Sequence, residues 1–131
     1  LIYTSNYTRS GKYSLSYAIS VKPPDWYEGK CLPQLAPTWE LVTGIKRGII
    51  TEEEYSTRYI NLLISRKYDP QKIVDALPDN TRLLCYESAG EFCHRRVLAK
   101  WIEDSIGVII PEWTSEEDIK KEEMLNDLVE F

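Results

Sequence analysis

Two features of this 131-residue chain predict an α/β fold, a single domain with a largely parallel sheet flanked by helices. Short apolar stretches of strand character are separated by segments of helical period. The stretch "TRLLCYE", 81–87, is a compact apolar strand of the kind covered on both faces, which is the habit of parallel sheets. Length allows it: the chain can bury a core without metal or disulfide staples, and its 43% hydrophobic content is that of an ordinary globular domain.

The elements follow in order. "LIYTS", 1–5, reads as a short strand, and the polar "NYTRSGKYS", 6–14, as a loop punctuated by Gly11. "LSYAISV", 15–21, alternates apolar and small polar residues as a second strand. Pro23 and Pro24 end it, because proline donates nothing to a ladder. "DWYEGKCLPQLA", 25–36, reads as an irregular connection. Pro37 or Thr38 opens a helix to about Lys46, with Trp39, Val42 and Ile45 on one face. Thr51 followed by Glu54 is a capping box, and Tyr55, Tyr59, Leu62 and Leu63 continue the face of that helix. Asp69-Pro70 opens a shorter helix to Leu77. After strand 81–87, "EFCHRRVLAKWIED", 91–104, is an amphipathic helix that Gly107 breaks. "VII", 108–110, reads as one more short strand. Ser115 with Glu116, Glu117 and Asp118 starts an acidic helix. The chain thus divides into an α/β domain, 1–114, and a C-terminal acidic helix, 115–131, either packed on the domain or partly mobile.

The net charge of −5 argues against a nonspecific nucleic-acid coat or a polybasic membrane binder. No apolar run approaches the roughly 18 residues of a membrane span, and no secretory signal is visible, although the chain begins at Leu1 rather than Met. Three cysteines are too few and too odd for a disulfide scaffold. They are expected to be free thiols in a reducing, cytoplasmic setting. In that setting the sequon Asn6-Tyr7-Thr8 is a chance match.

Chemistry concentrates in "LLCYESAGEFCHRRVLAKWI", 83–102, which holds two of the three cysteines and the single histidine. Alternation puts Leu83, Cys85 and Glu87 on one face of the strand, with Glu87 at its carboxyl end, where open α/β sheets bind ligands. Gly90 allows a close turn, and the helix start then offers free N–H groups and a positive dipole end. Four roles are open. Arg95 could bind a phosphate or carboxylate there, or Arg95 and Arg96 could be solvated surface residues pairing with Glu91 or Glu103. Cys93 could be a nucleophile with a depressed pKa, or a small core residue. Cys85, Glu87, Cys93 and His94 could hold a metal, but the usual zinc spacings are absent and no bound metal is expected. His94 could do acid–base work with Glu87, or be a satisfied structural histidine. The Cys-x5-Arg phosphatase loop is absent.

Several blocks resemble the domain of unknown function 488 family: "IYTSNY" at 2–7, "AISVKPPDWYEGK" at 18–30, "LAPTWEL" at 35–41, "EEEYSTRY" at 52–59 and "LLCYESAGEFCHRRVLAKWIE" at 83–103. In the last block Cys85, Glu87, Cys93, His94 and Arg95 match the family's C-x-E…C-H-R signature, whereas Cys31 belongs to no such motif. The resemblance implies an α/β fold and a shared site, without a reaction. It also groups distant segments. With all strands parallel, Thr4, Ser5, Lys22 and Trp26 gather near Glu87, Cys93, His94 and Arg95. Such a pocket suits a small anionic ligand such as a nucleotide, with Glu87, Cys93 and His94 as catalytic candidates and Thr4, Ser5, Lys22, Trp26 and Arg95 as binding residues. The leading expectation is an α/β protein with a polar, anion-accepting pocket for nucleotides or nucleic-acid-derived substrates, with the question of catalysis left open. The alternatives are a noncatalytic nucleotide or phosphometabolite binding module and a thiol redox protein using Cys85 and Cys93. The sequence names no cofactor and no oligomeric state.

Overall fold

The computed structural model describes residues 1–116, Lys120 and Met124, so most of the acidic helix expected over 115–131 lies outside the described residues. Four strands, β1 (Tyr3–Asn6), β2 (Ser16–Ala18), β3 (Lys30–Cys31) and β4 (Arg82–Cys85), form one sheet in the order β1-β4-β2-β3. Every pairing is parallel, so all carboxyl ends lie along one edge. Among the described residues five named helices accompany it: α1 (Tyr7–Ser10), α2 (Trp39–Lys46), α3 (Glu52–Ser65), α4 (Pro70–Ala76) and α5 (His94–Ile106). The chain is therefore an α/β protein with an all-parallel sheet. No helix among the described residues is long and apolar enough to cross a membrane.

The strand period sorts the core. Leu83 faces α3, α4 and α5 and joins the main cluster with Tyr59, Leu63, Leu98 and Ile102. Leu84, one residue on, faces the other way and packs with Tyr7 and Ala18. Local signals fix the helix starts. Thr51 and Glu54 form both bonds of the capping box that begins α3, and Asp69 caps α4, where Pro70 occupies the first turn. Gly107 closes α5 in the left-handed conformation, φ 72°.

Four elements differ from the sequence reading. The loop expected at 6–14 contains α1, whose N-cap Asn6 accepts a hydrogen bond from the Arg9 N–H. The connection at 25–36 contains β3 and a 3-10 turn, Pro33–Leu35. Residues 108–110 form no strand. The chain instead meets β1 slightly later, through an isolated parallel bridge between Thr4 and Glu112. It is made by Thr4 N–H to Pro111 O at 3.0 Å and Trp113 N–H to Thr4 O at 2.7 Å. Finally, α5 begins at His94 rather than at 91. Gly90 turns the chain with φ 87°, and Phe92 leaves the helix to pack its ring on Tyr55 at 5.3 Å.

Candidate functional site

The carboxyl ends of β2 and β4 open into a cavity of about 830 Å³. Ser20, Val21 and Lys22 after β2 and Tyr86 and Glu87 after β4 line its sheet side. Trp39, Val42, Ile45 and Lys46 of α2 and Ile50, Thr51, Glu52 and Tyr55 around the start of α3 make the opposite wall. Pro37, Cys85, Phe92, Cys93 and His94 form the rest. The Tyr86 hydroxyl donates to the Lys22 carbonyl and ties the two strand-exit loops together.

At the floor, one sulfur of Cys85, one of Cys93 and one carboxylate oxygen of Glu87 lie within 4.8 Å of each other. Both thiols are free and buried. They are not equivalent. Burial pushes the Cys85 thiol well above its ordinary value, so it stays protonated. The Cys85 thiol, acting as hydrogen-bond donor, pulls Cys93 the other way; burial opposes this and the Arg95 charge assists it. Cys93 is also the N-cap residue of the 13-residue α5, so the positive end of that helix favours its thiolate.

Arg95 has a role other than the one its position in the sequence suggests. Its side chain is 0% exposed and does not line the cavity. Nε and Nη2 donate to the two oxygens of Glu112, at 3.0, 3.2 and 2.6 Å, and Nη1 donates to the Cys85 sulfur at 2.9 Å. This pairing explains its burial, since a buried charge must be matched. It removes Arg95 from the ligand-binding set. Arg96 is not a solvated neighbour either: it donates to Thr4 Oγ1 and to the Ile110 carbonyl, each at 2.8 Å.

His94 lines the cavity, but its ring nitrogen Nε2 lies 2.7 Å from the Ile19 carbonyl. A carbonyl only accepts, so Nε2 carries the hydrogen. Burial lowers its pKa to about 4, which keeps the ring neutral and makes it a clamp between α5 and the exit of β2. Glu87 differs. Its Oε2 is buried and has no hydrogen-bond partner among the described residues.

The structure thus brings Lys22, Glu87, Cys93 and His94 together, and it does not bring the other expected residues to them. Thr4 and Ser5 are buried at the far side of β4, where Thr4 donates to Glu112 at 2.7 Å and Ser5 to the Trp113 carbonyl at 3.1 Å. Trp26, 46% exposed, packs on the α1 side of the sheet, against Tyr7 and under Lys12. A Cβ at Gly11 would lie 2.5 Å from its ring. The residues missed from the sequence are Glu112, which holds Arg95, and the wall residues Lys46, Ile50, Tyr55 and Phe92. The only available signal was the apolar face that Tyr55 starts on α3. Cys85, Cys93 and Glu87 are the residues that could hold a metal, although the Arg95 guanidinium on the Cys85 sulfur opposes a second cation there.

Fold and site together define a parallel α/β protein with a paired-thiol and carboxylate pocket at the carboxyl edge of its sheet. Residues 8–106 match the family model described as the active DUF488-N3 subclade, and the chain belongs to the DUF488 family. Comparison with curated proteins and with solved structures gives no match.

Proposed function

We propose that this chain is an enzyme acting on nucleotides or nucleic-acid-derived substrates, with the Cys93 thiolate as nucleophile and Glu87 as its proton partner. One observation carries the reading: a thiol with a lowered pKa opens into a large, mostly apolar cavity beside a carboxylate oxygen that the fold leaves unpaired. A thiolate adds to electron-poor carbon. In that step the Cys93 sulfur–carbon bond forms and the displaced electron pair goes to the heteroatom bonded to that carbon. Glu87, having taken the thiol proton, delivers it to that heteroatom. The Cys93 sulfur and a Glu87 carboxylate oxygen lie within 4.8 Å of each other, close enough to act on one substrate group. We place the reaction in the cytoplasm, whose reducing conditions suit three free thiols.

The test is a panel of nucleotides, nucleosides and bases incubated with the wild type, Cys93→Ser and Glu87→Gln. The reading expects consumption of one class by the wild type, loss of turnover in both variants, and a mass adduct on Cys93 when the reaction is quenched. A protein that binds a ligand and returns it unchanged is the noncatalytic module instead. A second reading, thiol redox, is favoured by the adjacency of the two sulfurs. It expects reduction of a disulfide substrate, whose two sulfurs leave as thiols while Cys85 and Cys93 become joined as a disulfide, and Cys85→Ala abolishes the exchange.

A further inference from the structure

We infer that the cavity takes its nucleotide base-first, with Glu87 accepting the amino and ring N–H groups of a guanine-type base and Lys22 and Lys46 receiving the phosphate at the rim. The inference rests on the proposed nucleotide chemistry and names its substrate class and its orientation.

The floor sets the first half. Native structures rarely leave a buried polar oxygen unpaired, because desolvation without a new bond is costly. Glu87 Oε2 is such an oxygen, and a carboxylate only accepts. An N–H or O–H donor brought by a ligand would supply the partner it lacks. The Cys93 sulfur, with its lowered pKa, lies within 4.8 Å of the carboxylate. The nearest guanidinium, that of Arg95, is already matched by Glu112. The floor is thus electronegative. A phosphate placed there would meet the negative charge that Cys93 and Glu87 share through the thiol proton, and no free cation.

The walls and rim set the second half. Tyr55 and Phe92, in edge contact at 5.3 Å, and Ile50 and Val42 give apolar surface for a flat ring. The two lysines of the cavity, Lys22 and Lys46, are both exposed and so belong to its mouth. Lys22 has only a loose contact of 3.9 Å with the exposed Asp25. A volume of about 830 Å³ lies within the range of pockets that enclose drug-sized ligands. A ligand with paired N–H donors at one end, a flat ring and a dianion at the other matches this order of surfaces. Among the common bases, guanine alone places a ring N–H beside an exocyclic amino group, the pair that a carboxylate binds with two parallel hydrogen bonds.

The experiment is calorimetric titration of the protein with guanosine monophosphate, inosine monophosphate, which lacks the amino group, and guanosine, which lacks the phosphate. The wild type should prefer guanosine monophosphate to inosine monophosphate by roughly 10- to 150-fold, the range for a hydrogen bond to a charged group. Glu87→Gln should bring that ratio near one. Lys22→Ala with Lys46→Ala should weaken the monophosphate and leave guanosine unchanged, which also shows that the variant is folded. Failure of every ligand to bind, a wild-type ratio near one, or a ratio that survives Glu87→Gln overturns the inference. Binding with the expected preference but without turnover leaves it standing while the catalytic reading falls. Turnover of a ligand that Glu87→Gln binds as tightly and as selectively as the wild type does the reverse.

Discussion

Lowering the pH from 7.5 to 5.0 should destabilise the protein by about 2 kcal/mol through His94 alone. In the folded state burial holds this imidazole at about 4, against an ordinary value of 6.5, while its Nε2–H donates to the Ile19 carbonyl at 2.7 Å. The unfolded chain takes up a proton near the ordinary value and the folded one does not. Between those two values the unfolded state binds more protons, so stability falls as the pH falls. The contribution is complete above 6.5 and is lost progressively toward about 4. Each pH unit in that window is worth about 1.4 kcal/mol, and pH 5 lies about 1.5 units inside it, which gives about 2 kcal/mol. The assignment is clean because the chain has one histidine. Urea unfolding at a series of pH values measures it. His94→Gln is the control, since its amide keeps an N–H for Ile19 and does not titrate. The wild type should lose about 2 kcal/mol and the variant less than about 0.5 kcal/mol. A flat wild-type profile, or parallel loss in both proteins, would refute the reasoning.

In a Cys31→Ser background, which removes the exposed thiol, iodoacetamide should modify Cys93 before Cys85, with a pH midpoint below that of an ordinary thiol; mass mapping of the modified peptides decides it. Cys85→Ala should raise that midpoint, because it removes the group that lowers Cys93 most; an unchanged midpoint would assign the effect to Arg95 and the helix end. Glu112→Ala should cost about 3–5 kcal/mol in urea unfolding, since it leaves the fully buried Arg95 guanidinium unmatched; a loss under about 1 kcal/mol would mean that solvent reaches it. Thr51→Ala, which removes one half of a capping box, should cost about 1 kcal/mol by the same measurement.

What the sequence disclosed divides along local and nonlocal physics. Strand β4, the capping box of α3, the Asp69-Pro70 start of α4 and the Gly107 stop of α5 are written in adjacent residues, and all were readable. So was the clustering of Cys85, Glu87, Cys93 and His94, because strand and helix periods place neighbours within a single β–α unit. The two-residue β3 has no periodicity to detect. α1 is four residues long and looks like a loop because its letters are polar. The bridge at Glu112 depends on β1, 108 residues away in sequence. The same distance hid the fate of Arg95. Nothing near "CHRR" announces that a carboxylate will arrive from beyond α5, so the arginine read as a free anion ligand. Trp26 failed for a related reason, since its destination is Gly11 on the opposite face of the sheet.

The burial of Arg95 ties the signature to the chemistry at the floor. An arginine facing the cavity would attract anions directly and leave Cys85 with no partner. Held by Glu112 behind the sheet edge, its Nη1 donates to the Cys85 sulfur instead. Cys85, protonated because it is buried, then offers its own hydrogen to Cys93. Each donor polarises the next, so the arginine's charge reaches the cavity through two bonds without a guanidinium occupying it. This gives Cys85 a part in setting the Cys93 thiol, and it accounts for the short spacing of Cys93, His94 and Arg95. The first stands at the start of the helix, facing the cavity, the second pins that helix to Ile19, and the third reaches back under the floor. On this reasoning Arg95→Lys, which keeps a charge but cannot bond Glu112 and Cys85 in the same fork, should slow Cys93 alkylation at neutral pH. A rate equal to that of the wild type in a folded variant would break the link between Arg95 and the thiolate.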